Sequence, residues 1–521
     1  MHPVRAILFS LVLVVISALP VLAQSSGFGL TVVVDGDDLI IGEPNNSFRQ
    51  GTVYVYRKSG DTWAEVTRLQ AEESERADGF GAVLALDGDT LFVAQRGGML
   101  HAFERDGSSW RSSGTLSVDG LTGPDPGCGQ QYGYCGTDFG IAIAIEGDWM
   151  MVGKPGRAAS AGGRGTPQPA EPGAVYIFRR GGSGRWTLQG SLEPTDGIVA
   201  GDSYGRSIAF SDGRVFVGAP TRAADVVAQP QGGGRRRGRG PSPVPEDTPP
   251  VPEVGRVFEF RYENGNWRET ASLGSENERA ANFGVAISLE GNTAVIGAPG
   301  SGDGHGAAYV YKYDEENGVW EEHSRLAAFS GIRGDRFGTA VAIDGKDVWV
   351  GSPAPRGTDT GMVYLYRDEG GELLGAPRRI FLKETVTRDA FGNRIASSGG
   401  IAAVSATGMD HQAGAVYVYE RNTNGEWEDR GELVSEPDAL PALLGEVREC
   451  TNGKIGPFDC DGIDLLAFIP GSMLKAEGDS RGVRTNDNWG WTDPVTGREY
   501  ALIGRNDGTS FFDITDPLNP L

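Results

Sequence analysis

Residues 336–355 read RFGTAVAIDGKDVWVGSPAP, and the fold follows from how this stretch is read. An aromatic-glycine pair, Phe337-Gly338, opens a run of small and β-branched residues. An Asp344-Gly345 turn follows, and a second apolar run ends in Gly351-Ser352-Pro353. The first run is apolar on both faces, with Val341 and Ile343 pointing one way and Ala340 and Ala342 the other. This predicts a strand buried on both sides, because a half-exposed strand alternates with polar residues. Asp-Gly suits a tight hairpin, since both residues tolerate positive φ. Residues 361–366, GMVYLY, then alternate as an outer strand should.

The stretch is one of seven. Aromatic-glycine pairs recur at Phe28-Gly29, Phe80-Gly81, Phe139-Gly140, Tyr204-Gly205, Phe283-Gly284, Phe337-Gly338 and Phe391-Gly392. The second copy lacks the closing Pro, and the seventh, AFGNRIASSGGIAAVSATG, is degraded throughout. Each copy is followed by a second unit such as GTVYVYR, GAVYIFRR or GAAYVYK. In six of the seven a Trp comes a few residues later: Trp63, Trp110, Trp186, Trp267, Trp320 and Trp427. A repeat of this period means an array. Inner hairpin, third strand and Trp-bearing strand make four antiparallel strands, and radial repetition makes a propeller. The expected fold is all-β: a seven-bladed β-propeller of four-stranded antiparallel blades over residues 27–435, then a small partial β region. Closing the ring hides the edge strands that a linear array would expose.

These residues resemble the FG-GAP repeats of the integrin α-subunit type of seven-bladed propeller. The resemblance implies an extracellular interaction propeller whose loops on one face contact partners. Calcium-binding members carry an extended Asp-rich loop, D-x-D-G-x-x-D, between the two inner strands. Here that position is a bare turn: Asp87-Gly88-Asp89, Glu146-Gly147-Asp148, Glu290-Gly291-Asn292 and Asp344-Gly345. So short a turn cannot wrap the six or more oxygens a calcium ion takes. No cofactor is expected, calcium is disfavoured, and no metal or catalytic residue carries over.

Composition agrees with many short strands joined by tight turns: 80 of 521 residues are Gly, yet 39% are hydrophobic. The net charge of −23 repels phosphate backbones, which argues against a nucleic-acid partner. Residues 1–23 read as a secretory signal peptide, with Arg5, an apolar core and Val21-Leu22-Ala23 before Gln24. No later segment is long and apolar enough to span a bilayer, so no transmembrane segment is expected beyond the leader. The chain is expected to be exported to the cell surface, the periplasm or the medium. Its four cysteines form two close pairs, Cys128 with Cys135 and Cys450 with Cys460. They permit three pairings, of which two local bridges are the simplest in an oxidising compartment.

Uneven spacing between copies marks insertions at about 119–137, 156–172 and 221–254. The last carries Arg235, Arg236, Arg237 and Arg239, the dense basic cluster of an acidic chain. It reads as a solvated low-complexity loop. The sharper alternative is an electrostatic hook for an anionic surface polymer or lipid, or a processing site.

After Pro441 the repeat stops. The segment 445–521 resembles the choice-of-anchor B family of bacterial surface or secreted proteins. The matching residues are the Cys450/Cys460 frame, Asp464-Leu465-Leu466, the run NDNWGWTD at 486–493 and GREYAL at 497–502. DITDP at 513–517 with Asn519-Pro520 resembles an LVIVP-type repeat, which that family stacks into a second propeller. The resemblance implies a truncated start of such a propeller, with more repeats and an anchor beyond Leu521. Trp489 and Trp491 offer rings on which a sugar would stack, with Asp487 or Asp493 binding its hydroxyls. The plainer reading is a strand with two anchoring aromatics between polar turns.

Signs of catalysis are sparse. G-x-S-x-G occurs at 201–205 and 478–482, but a nucleophile elbow needs a strand before it and a helix after it. The first copy lies on the fourth aromatic-glycine motif and the second in a polar stretch. Beyond the leader the histidines are His101, His305, His323 and His411, in no HExxH or Cys/His set. The expected function is a secreted or surface-attached bacterial interaction protein, non-enzymatic, binding protein or glycan partners through propeller loops. The alternative is a carbohydrate-active enzyme, a polysaccharide lyase or hydrolase on the same scaffold. A cluster of acidic, basic and aromatic side chains at one mouth of the central channel would favour the enzyme.

Overall fold

The computed structural model describes residues 27–46, 50–72, 78–107, 109–121, 138–156, 170–221, 255–275, 281–328, 333–353, 360–370, 375–382, 389–435, 442–456, 458–474, 485–505 and 508–521. The leader, Cys128 and Cys135, the arginines 235–239 and the second G-x-S-x-G motif lie outside the described residues.

Seven four-stranded antiparallel sheets follow one another along the chain, at 31–69, 83–116, 142–192, 207–273, 286–326, 340–380 and 391–433. Within each sheet the strands lie in sequence order, so a blade is one continuous piece of chain. Every innermost strand packs against the innermost strand of the next blade, and the seventh returns to the first. The ring closes without strand exchange. Packing holds the seam instead: Phe28, Leu39 and Tyr54 of blade 1 share a core with Ile401, Val416 and Val418 of blade 7. Lys58 pairs with Glu420 at 3.0 Å, and Ser435 Oγ donates to Glu43 at 3.1 Å, across the same seam.

Blade 6 shows what the opening stretch does. Ala340–Asp344 pairs with Asp347–Ser352, which pairs with Met362–Arg367, and Arg378–Ile380 lies outermost. Phe337 is fully buried between Val295, Ala308 and Val310 of blade 5 and Val348 and Val350 of its own blade. Gly338 has φ +88°, and a Cβ there would sit 2.1 Å from the Ala307 carbonyl oxygen of blade 5. Its N–H bonds the Gly351 carbonyl at 2.9 Å within the blade. A Cβ on Gly351 would in turn meet the Gly392 carbonyl oxygen of blade 7 at 2.0 Å. Five of the seven aromatic-glycine pairs dock in this way on the Gly-x-Pro glycine of the preceding blade, and Gly140 and Gly29 meet Ala94 and Ser405 instead. Only hydrogen at both positions lets two backbones come this close.

In six of the seven copies the residue before the aromatic adopts left-handed φ, even where it is not glycine, as at Ser203, Asn282, Arg336 and Ala390. An L-residue there costs about 1–2 kcal/mol. Ala390→Gly (native φ +54°) should therefore stabilise the ring by up to about 1 kcal/mol, after the entropy of the extra glycine in the unfolded chain. A denaturant midpoint that falls would show that Ala390 is not strained.

Two expectations need correction. The first strand is buried on both sides in blade 6, but in blades 4 and 5 every residue of it is only half-buried or exposed, because the innermost strands border a central channel. The GMVYLY strand is not outer: Val363, Tyr364, Leu365 and Tyr366 are all buried, and the fourth strand takes the solvent side. The degraded seventh copy still builds a complete blade. Its register breaks between Phe391 and Ile395, where Ser405 replaces the repeat's glycine and its Oγ accepts the Arg394 N–H at 2.9 Å.

The tryptophans reach sideways. Trp186 packs edge-on against Phe92, Trp267 against Trp149, Trp320 against Phe216 and Trp427 against Trp349, each a residue of the preceding blade's second strand. Blade 6, the copy without a Trp, has a fourth strand of only three residues.

Beyond the ring, a three-stranded sheet of Thr485–Thr492, Glu499–Arg505 and Thr509–Asp513 follows a short two-stranded ladder. A disulfide joins Cys450 to Cys460. Among the described residues no helix is long and apolar enough to cross a membrane.

Candidate functional site: the two faces of the ring

Antiparallel order fixes which loops share a face. The aromatic-glycine motif opens the first strand, so the connections between second and third strands, and those leading to the next blade, emerge on that same face. The opposite face carries the inner-hairpin turns, two residues long in every blade. All three insertions depart from and return to the aromatic-glycine face.

The hairpin face is latched. Its turn carboxylates hold the next blade: Asp87 accepts the Gly147 N–H at 2.8 Å, and Glu146 accepts the Asp212 and Gly213 N–H groups at 2.7 and 2.8 Å. Glu290 accepts the Gly345 N–H at 3.1 Å, and Asp344 accepts the Gly400 N–H at 2.7 Å. The acids that first suggest metal are clasps between blades. Two buried aspartates add charge clamps. Asp38 pairs with Arg57 at 2.6 Å and with Arg105 of blade 2. Burial alone would push the Asp38 carboxyl up, but its arginine partners hold it below its ordinary value. Asp347 is fully buried and accepts from Arg367 at 2.8 Å, from Arg421 of blade 7 at 3.2 Å and from Trp427 Nε1 at 2.9 Å.

The aromatic-glycine face opens into the channel through a cavity of about 710 Å³ bordered by all seven blades. Its wall is apolar, with Ile143, Ile208, Ile287, Val341 and Ile395. Three arginines stand at its rim: Arg206 from blade 4, Arg336 from blade 6 and Arg394 from blade 7. Asp138 is the carboxylate among the lining residues, and Arg96 there donates to Asn45 at 2.6 Å. All three rim guanidinium side chains are open to water. Sequence reading passed over them because they sit inside the repeat motif. The signal was a mismatch between copies: the residue after the pair is Leu30, Ala82, Ile141, Val285, Thr339 or Asn393, but the charged Arg206 in the fourth.

The other sequence-derived sites fall as follows. Ser203 has φ +59°, and its hydroxyl lies 2.5 Å from that of Thr221. The same left-handed φ recurs before other aromatic-glycine pairs, so it belongs to the repeat's turn and not to a nucleophile elbow. His101 is packed against Phe80, and its Nε2 meets Gln95 Oε1 at 2.8 Å. In the C-terminal sheet Trp489 pairs with Leu502, and Leu502 with Phe511. Trp491 pairs with Tyr500. The two-residue alternation puts Asp487, Trp489 and Trp491 on one face, where both tryptophans are exposed. Asp493 lies in the following turn, where its carboxylate accepts from Thr496 and the Val495 N–H, which holds its pKa down. Among the described residues no three His, Cys, Asp or Glu gather as a metal-binding group.

The family described as FG-GAP repeat matches residues 267–311 and 320–366. Each match starts on a Trp-bearing fourth strand and runs through three strands of the next blade, so the sequence unit straddles the interface it builds. No curated protein matches the chain. Among solved structures, a putative 6-phosphogluconolactonase from Bacteroides uniformis is 13% identical at TM-score 0.41, over 69% of this chain and 87% of that one. Sqt1 from Saccharomyces cerevisiae is 9% identical at TM-score 0.41, over 94% and 95%. The RRP9 WD40 repeats are 11% identical at TM-score 0.42, over 73% and 87%. Likenesses this distant do not bear on function. What stands is a propeller-like, all-β ring bearing FG-GAP repeats.

Proposed function

We propose that the chain is an exported, surface-attached or secreted interaction protein that binds protein or glycan partners through the aromatic-glycine face. The observation that carries this is the asymmetry of the ring. On one face the inner hairpins close in two-residue turns and are held by latches and charge clamps, while the other collects the channel opening and the three insertions at 119–137, 156–172 and 221–254. The Cys450–Cys460 disulfide fits an oxidising compartment. The C-terminal segment, with Trp489 and Trp491 exposed on one sheet face, provides a second aromatic surface of the kind that stacks on sugar rings. In the choice-of-anchor B reading this segment is the start of a second, stacked unit.

The test is a glycan-array and matrix-protein screen of residues 24–521, with and without chelator. Saturable binding that survives chelation, and is lost when residues 222–254 are replaced by a short linker, is the expected result. Turnover of a polysaccharide in that screen would sink the binding-only reading in favour of a lyase or hydrolase.

A further inference from the structure

We propose that the channel mouth is a binding site for a compact oxyanion, a carboxylate or phosphoryl group on a small molecule, held by Arg206, Arg336 and Arg394. The inference deepens the reading above and rests on the aromatic-glycine face being the ligand face.

Elsewhere in the ring arginines pair with acids: Arg57 and Arg105 with Asp38, Arg367 and Arg421 with Asp347, Arg261 with Glu259. The three at the rim do not. Among the described residues none of them has a carboxylate partner, and Arg394 Nη1 donates only to the Asn393 carbonyl, at 2.9 Å. They come from three different blades yet converge on one opening, in a chain whose net charge is −23. Arg394 is exposed, yet enough protein surrounds it to desolvate its charge. That desolvation lowers its pKa, and the charges of Arg206 and Arg336 lower it further. Clustered like charges without counter-ions disfavour the empty site, and a bound oxyanion removes that repulsion.

The chemistry of the ligand follows from the surroundings. Guanidinium groups present forked donors that match carboxylate and phosphate oxygens. Three such groups against the single Asp138 carboxylate suit a ligand carrying about two or three negative charges. The wall below the rim presents the apolar Ile143, Ile208, Ile287, Val341 and Ile395, so the anionic end binds at the mouth. A long polyanion is disfavoured, because the acidic surface repels it before it reaches the opening.

The experiment is calorimetry and thermal shift on the full chain with inorganic phosphate and with citrate, heparin serving as the long polyanion. Saturable binding of phosphate or citrate is expected, weakened at least about tenfold in Arg206→Gln and in Arg394→Gln. The tighter of the two assigns the group as phosphoryl or carboxylate. Without ligand, Arg394→Gln should melt no lower than the parent, since it relieves repulsion, and this separates lost binding from lost folding. Absence of saturable binding by either probe, affinities unchanged in both variants, or a preference for heparin through these arginines would each overturn the proposal. Partner binding in the array screen that persists in Arg394→Gln, alongside absent phosphate and citrate binding, would remove the anion site and leave the interaction reading standing. Anion binding without any array partner would do the reverse.

Discussion

Gly338→Ala should lower the stability of the ring by about 2–5 kcal/mol, the sum of two separable penalties. A left-handed backbone costs an alanine about 1–2 kcal/mol. The remainder is a collision, because the new Cβ would lie 2.1 Å from the Ala307 carbonyl oxygen, a backbone atom of blade 5 that cannot swing aside as a side chain would. Forcing such an overlap into a packed interface costs about 1–3 kcal/mol. The control is Gly345→Ala, where φ is +62° and the space around the new Cβ is empty. That variant should lose only the backbone part, about 1–2 kcal/mol. Urea midpoints of the two variants against the parent measure the difference. Equal losses would show that close approach of blades is not what the repeat glycine is for.

Trp427→Ala should cost about 3–5 kcal/mol, the range for removing a buried aromatic side chain. Trp427 is buried, stands edge-on to Trp349 of blade 6 at 4.9 Å, and gives its Nε1–H to the fully buried Asp347. Arg421 lies over its ring at 5.2 Å and pairs with both Asp344 and Asp347. Truncation therefore leaves a cavity between blades 6 and 7 and strips one donor from a buried carboxylate. Trp427→Phe keeps most of the volume and loses only the Nε1 bond, so about 1–2 kcal/mol is expected. A thermal melt in which the two substitutions behave alike would place the energy in the hydrogen bond and not in the wedge.

Much of the ring was legible because its local rules repeat. Phe337-Gly338, the Asp344-Gly345 turn and the Tyr-bearing third strand each have a short-range physical reason, and seven copies average out the noise in any one. Blade 7 shows where that reading is too strict. Ile395, Ile401 and Val404 still supply the apolar alternation, and the neighbouring blades supply the rest of the template, so a degraded motif folds with a local break in register. The channel-side exposure of the first strand was not legible. Apolar residues on both faces look the same whether the second face meets a sheet or a narrow channel.

The candidate site divides in the same way. Trp489 and Trp491 were found from their spacing, and the sheet places them on one face because alternation is a local property of strands. Arg206, Arg336 and Arg394 were hidden, since 188 positions of chain separate the first from the last and each occupies a different place in its motif. The acids Asp87, Glu146, Glu290 and Asp344 were seen in turns, but their role as clasps was not, because the accepted N–H groups belong to the next blade.

By itself, then, the sequence determined the blade: strand order, turn type, the glycines and the count of repeats all rest on contacts among near neighbours in the chain. Only the tertiary structure decided what the blades do to one another. Closing the ring turns the acids of the hairpin turns into latches and gathers three arginines at one opening. Those outcomes depend on which residues of distant repeats come to face each other, and a linear pattern carries no information on that until the circle is closed.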